Sequence, residues 1–260
     1  MVMNEFFSFR RFSRLFIKHT MEQYRTYLMS IGVLAGVLVL CGAFLIIVAP
    51  DALEPGFQTA SYMILLFISG GIFTSTVFTE FGEKNKAIPA LTLPATAFEK
   101  FLVGWLYSYP IFLVVYTCIF YLALLGLGSL QHLPAGRHFI LFSIDQPEMP
   151  VFWVMFTEIQ SLALFGAIFF RKLQFIKTGF AFFIALAVVV LGNSLFLKIL
   201  TGVAVEKMAI PFGFLNFYIG DKYYSIGTGN KASTLILVLL MVVAASTWVA
   251  AYYRLKEKQV

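Results

Sequence analysis

Six long apolar runs divide this chain, and each is long enough to cross a bilayer as a helix. Stretches of about 17–25 predominantly apolar residues span the hydrocarbon core, and the lack of water there excludes irregular spans with unpaired backbone groups. The runs lie at Tyr27–Val48, Ser61–Phe78, Phe101–Leu127, Val151–Phe170, Gly179–Leu200 and Ser233–Tyr253. The chain is 60% apolar and 12% charged, against about 45–50% and 25% in a soluble domain. The expected fold class is all-α, a polytopic membrane protein with six transmembrane helices. No linker divides it, so residues 1–260 read as a single transmembrane domain. Cys41 and Cys118 both fall inside runs. They are expected to be small packing residues, with no disulfide framework and no metal cluster.

Basic residues set the orientation. One side of the alternating runs collects Arg10, Arg11, Arg14, Lys18, Arg25, Lys84, Lys86, Lys100, Arg171, Lys172, Lys177, Arg254, Lys256 and Lys258, which is 14, and the other collects Arg137, Lys198, Lys207, Lys222 and Lys231, which is 5. Lys and Arg mark the cytoplasmic face, so both termini are expected in the cytoplasm of a cell whose inner membrane holds the protein. The net charge of +6 then reflects this asymmetry and attraction to the lipid bilayer, with no nucleic acid as a partner. Residues 1–26 lack the short apolar core and small-residue cleavage site of a signal peptide, so the first run is expected to stay.

Within that opening stretch, residues 6–25 have helical amphipathic spacing. At 100° per residue Phe6, Phe9, Phe12 and Phe16 share one face and Arg10, Arg11, Arg14 and Lys18 the opposite one, as in an amphipathic elbow helix lying on the inner membrane surface. Three outer connections follow. Ala49–Ala60 is short and acidic. Ser129–Pro150 carries Phe139-Ile140-Leu141-Phe142, too short to span and expected at the interface. The longest, residues 201–232, has Tyr218, Tyr223 and Tyr224 suited to an aromatic belt and reads as a lidded or re-entrant segment.

Few residues offer chemistry. His19, His132 and His138 show no i,i+4 metal spacing, and Gly227-Thr228-Gly229-Asn230-Lys231-Ala232-Ser233 lacks the adjacent Gly-Lys-Ser/Thr of a phosphate loop. Gly192-Asn193-Ser194 has no histidine base in any run, which favours helix–helix hydrogen bonding by Asn193 and Ser194. Glu158 stands well inside an apolar run beside Thr157, Gln160 and Ser161. A carboxylate near the bilayer centre costs about 2.5–3.5 kcal/mol on insertion scales. Glu158, Gln160 and Asn193 are therefore candidates for a translocation path or a subunit interface. For Glu158, a carboxyl satisfied by a neighbouring helix near the outer interface stands beside that reading.

The polar stretch 79–100 has the most internal order. Pro94 halts the preceding segment, Thr96 can cap the next helix, and Glu99 three residues on can complete a capping box. Phe81–Leu91 is then expected along the membrane surface with Glu83, Lys84 and Lys86 exposed.

Leu93-Pro94-Ala95-Thr96-Ala97-Phe98-Glu99-Lys100-Phe101 resembles the Leu-Pro-Ala-Ser/Thr-x-x-Glu-Lys-Phe stretch of small six-span ABC-2 type permease-like proteins common in Bacteroidetes. Gln160-Ser161 with Gly166, then Phe170-Arg171-Lys172 and Phe175-Ile176-Lys177-Thr178, is similar to a second run of that family. The resemblance covers most of the chain. It implies the transmembrane subunit of an exporter, working as a homodimer or heterodimer with a separate cytoplasmic ABC ATPase. That partner would hold the ATP and Mg; this chain would hold no cofactor and be no enzyme. By the same resemblance residues 79–100 form the coupling segment, with Glu83, Lys84, Lys86, Pro94, Thr96, Glu99 and Lys100 toward the ATPase. The alternative is a non-transporting scaffold or sensor subunit, and behind it an intramembrane lipid-modifying enzyme.

Overall fold

The computed structural model describes residues 7–48, 54–77, 95–130, 139–170, 173–201, 215–219, 222–226 and 230–258. Its helices are α1 (Phe9–Val48), α2 (Pro55–Val77), α3 (Ala97–Leu106), α4 (Phe112–Leu130), α5 (Met149–Phe169), α6 (Gln174–Thr201) and α7 (Asn230–Glu257). A π-helical turn, Tyr107–Ile111, joins α3 to α4, so the two form one spanning helix. Six helices are thus long and apolar enough to cross a membrane. The protein is an all-α multi-pass membrane protein.

Two buried clusters mark the ends of the bundle. One gathers Val77, Phe101, Leu164, Ile168 and Leu255, with Phe12 and Leu15 packed on it. The other gathers Leu38, Tyr62, Phe120, Leu124, Phe142 and Met149. The first, second, third and fourth spans therefore run alternately between them, and α7 finishes in the first cluster. Gly166 of α5 lies against Thr178 of α6, so α6 starts at that same end. The first and last described helix ends thus share one end of the bundle, here called the terminal end.

The expected elbow helix is not a separate element. α1 runs for 40 residues without interruption, about 60 Å at 1.5 Å per residue, roughly twice the hydrocarbon thickness. The reason is local: between Phe9 and Ile31 the sequence holds neither proline nor glycine, so nothing breaks the hydrogen-bond ladder at residue 26. Nor do its phenylalanines share one environment. Phe9 is exposed, whereas Phe12 and Phe16 pack on the bundle, Phe16 stacking on Tyr107 at 4.9 Å. Arg10, Arg14 and Lys18 are exposed. The amphipathic face that sequence periodicity assigned to lipid is in large part a helix–helix seam.

At the far end, one residue of the segment expected at the interface, Phe142, enters the bundle. Gln58 donates to the Ile140 carbonyl and accepts from the Phe142 N–H, both at 2.9 Å, pairing its amide with that backbone as a strand would. Phe142 is buried against Tyr62, Phe120 and Tyr121, while Ile140 stays exposed. Before α7, strands β1 (Leu215–Ile219) and β2 (Lys222–Ile226) form an antiparallel ribbon pairing Tyr218 with Tyr223 and Phe217 with Tyr224. The connection between α6 and α7 thus contains a two-stranded ribbon alongside the six helices.

Candidate functional site

Thr96 adopts an extended backbone, and its hydroxyl accepts the Glu99 N–H at 3.2 Å while Glu99 Oε2 accepts the Thr96 N–H at 3.0 Å. This is the capping box expected from the sequence. Glu99 Oε1 has a second occupation. It accepts the Ser8 N–H at 2.8 Å and Arg11 Nε at 3.2 Å, with Arg11 Nη2 also 3.2 Å away. One carboxylate therefore sits at the N-terminal ends of two parallel helices, α1 and α3, where unpaired N–H groups and both helix dipoles favour negative charge. Glu99 is fully buried and Lys100 nearly so. That corrects their placement on a partner-facing surface: Glu99 is consumed in joining α1 to α3. Glu83, Lys84, Lys86 and Pro94 lie outside the described residues.

A second polar centre lies two turns further along the third span. Pro110 has no N–H to give and would crowd the carbonyl four residues back, and the widened π-helical turn accommodates it. The turn also splays its side chains. Tyr107 stacks on Phe16 and Tyr27 of α1, Ser108 meets Gln160 of α5, and Tyr109 meets Thr157 of α5 and the ring of Trp248 on α7. Three consecutive residues thus reach three helices. The amide of Gln160 is used on both sides, donating to Ser108 Oγ at 3.0 Å and accepting from Trp248 Nε1 at 2.9 Å. Thr157 gives its proton to the Trp153 carbonyl, so Tyr109 is the donor in their 2.7 Å contact.

The three path candidates do not converge. Gln160 is fully buried and bridges the π-helical turn and α7, a structural use of its amide. Asn193 is half-buried on α6, a helix with no buried residue among those described after Gln174. Glu158 is half-buried on α5, and its Oε1 is enclosed without a hydrogen-bond partner among the described residues. Gln160, flagged by its polarity, was visible in the sequence, but its partners Ser108 and Trp248 were not singled out. Pro110 inside an apolar run is the signal that marks where the third span departs from a regular helix.

No metal-ligating group of three or more His, Cys, Asp or Glu occurs among the described residues. Comparison with protein-family models, curated proteins and solved structures returns no match.

Replacing Gln160 by leucine should cost about 1–3 kcal/mol for each buried polar partner left unpaired. Trp248 Nε1 is the more exposed to this loss, since Ser108 keeps its own bond to the Trp105 carbonyl. Thermal unfolding in detergent and a shift in tryptophan emission check it; a wild-type midpoint and spectrum would show that the bridge is idle.

Proposed function

We propose that this chain is the membrane subunit of an ATP-driven exporter of the ABC-2-like kind, energised by a separate cytoplasmic ATPase that binds the ATP and Mg. It works as a dimer of permease subunits in a bacterial inner membrane, with both termini in the cytoplasm. The observation that carries this reading is the position of α3. That helix begins directly after the 79–94 stretch in sequence, is tied to α1 through Glu99, and touches α1 and α7, while the π-helical turn beyond it touches α2 and reaches α5. A displacement of α3 by an ATPase seated on residues 79–94 would be felt by most of the bundle. Two packings of these helices, each favoured by a different nucleotide state of the ATPase, then give alternating access.

Charge reversal of Glu83, Lys84 and Lys86 tests the coupling role. The spans should still assemble, while capture of the ATPase in mild detergent and substrate-stimulated hydrolysis should fall to background. Wild-type copurification from the reversed protein would favour a scaffold or sensor subunit instead. Orientation is checked separately, by reporters at Val260 and within Asp51–Gly56. They should report opposite compartments, with Val260 inside, and the same compartment for both would break the six-span count.

A further inference from the structure

We propose that the terminal end of the bundle, where the end of α5 packs against both the start of α6 and the last turns of α7, binds the phosphate of an anionic phospholipid. The proposal is independent of the transport reading and needs only that the chain spans a membrane.

Two aromatic rings form the floor. Phe169 and Phe170 stand edge to face with centroids 5.2 Å apart. Arg254 lies over the first ring at 5.2 Å and Lys177 over the second at 5.9 Å, so one cation from α7 and one from α6 flank a single aromatic pair. Lys258 Nζ donates to the Ile168 carbonyl, which ties the end of α7, and Arg254 with it, to the end of α5. The donors are only partly used. Arg254 gives Nη1 to Glu257 at 2.6 Å, while its Nε is enclosed with no hydrogen-bond partner among the described residues. Lys177 and Lys256 are exposed. Lys177, Arg254, Lys256 and Lys258 against Glu257 leave three net positive charges.

The surroundings select the ligand. Phe169, Leu173, Phe175 and Ile176 are exposed at 45%, 66%, 44% and 63%, beside the cations and at the termini of three spans. A free phosphate would have no use for that apolar wall. An acidic protein surface would bury it only by approaching at lipid-headgroup depth. A phospholipid matches both halves at once: its phosphate accepts charge-assisted hydrogen bonds from Arg254 and Lys177, and its chains lie on the apolar side chains. Basic pockets between spanning helices recognise anionic headgroups on these terms.

The test uses the purified full chain in detergent with added lipid, read as the thermal unfolding midpoint. Phosphatidylglycerol should raise the midpoint by several degrees more than phosphatidylcholine, and added salt should shrink the difference. Inorganic phosphate at the same concentration should do nothing; if it reproduces the rise, the site takes phosphate and the lipid assignment is overturned. Lys177→Gln with Arg254→Gln should abolish most of the difference between the lipids, and an unchanged difference overturns the proposal. Should that double variant fail to fold, Glu257→Gln decides: it releases Arg254 and should enlarge the phosphatidylglycerol effect at least twofold, and an effect equal to wild type overturns the site. Loss of a soluble protein partner in the variants with the lipid response intact also counts against it.

Discussion

Glu99→Ala is expected to lower the stability of the membrane domain by about 3 kcal/mol and to release the start of α1. The estimate follows from what the carboxylate holds: two backbone N–H groups from different helices and one guanidinium. Removing one partner of a buried ion pair costs about 3–5 kcal/mol because the other is left uncompensated, and loss of a cap adds about 0.5–2 kcal/mol. Arg11 keeps 27% of its side chain exposed, so water recovers part of its share and the lower end applies. Thr96→Ala removes only the cap and should cost about 0.5–2 kcal/mol. Glu99→Gln falls between the two, since an amide has a single accepting oxygen for the work of two. Thermal unfolding gives the order, and a cysteine at Ser8 gives the location: its labelling should rise sharply in Glu99→Ala and little in Thr96→Ala. Equal labelling in both would mean that α1 is held by its aromatic seam alone.

What the sequence disclosed and what it hid divide along sequence separation. The capping box was legible because Thr96 and Glu99 are three residues apart and cap geometry is local. The second task of Glu99 was not, because Arg11 lies 88 residues away and nothing in either neighbourhood names the other. The same holds for Gln160, whose partners are 52 and 88 residues distant. Periodicity set four phenylalanines against four cations on residues 6–25, but Phe9 is exposed and Arg11 is half-buried on Glu99. It could not say that Phe12 and Phe16 would meet Phe7 and Tyr107 rather than lipid, since an apolar face fits either. Likewise Phe139-Ile140-Leu141-Phe142 was visibly too short to span. What it could not show is that Phe142 would be buried, with the single amide of Gln58 satisfying the irregular backbone there. The span count survived because it rests on length and polarity, which the bilayer imposes on every segment independently.

The α5–α6 hairpin illustrates how one missing methyl group can hold a span in place. Gly166 faces Thr178 so closely that a Cβ there would stand 1.8 Å from Thr178 Oγ1 and 2.7 Å from Thr178 Cβ. Rotating the threonine clears the first clash but not the second, because Cβ moves only with the backbone. Gly166→Ala must therefore push the helices apart, at about 1–3 kcal/mol or more, and Gly166→Leu should abolish the packed hairpin. The consequence is large because α6 has no buried residue among those described after Gln174 and depends on its start for attachment. Gly71 supplies the contrast: a Cβ there meets only the edge of the Phe175 ring at 3.2 Å, which a small rotation relieves. The expected order of unfolding midpoints is wild type, Gly71→Ala, Gly166→Ala, Gly166→Leu. Thr178→Gly should rescue Gly166→Ala and not Gly71→Ala, once its own helix-propensity cost of about 1 kcal/mol is allowed for. If Gly166→Ala unfolds with the wild type, or if Thr178→Gly fails to restore it, the close approach of α5 and α6 is not what fixes the fifth span.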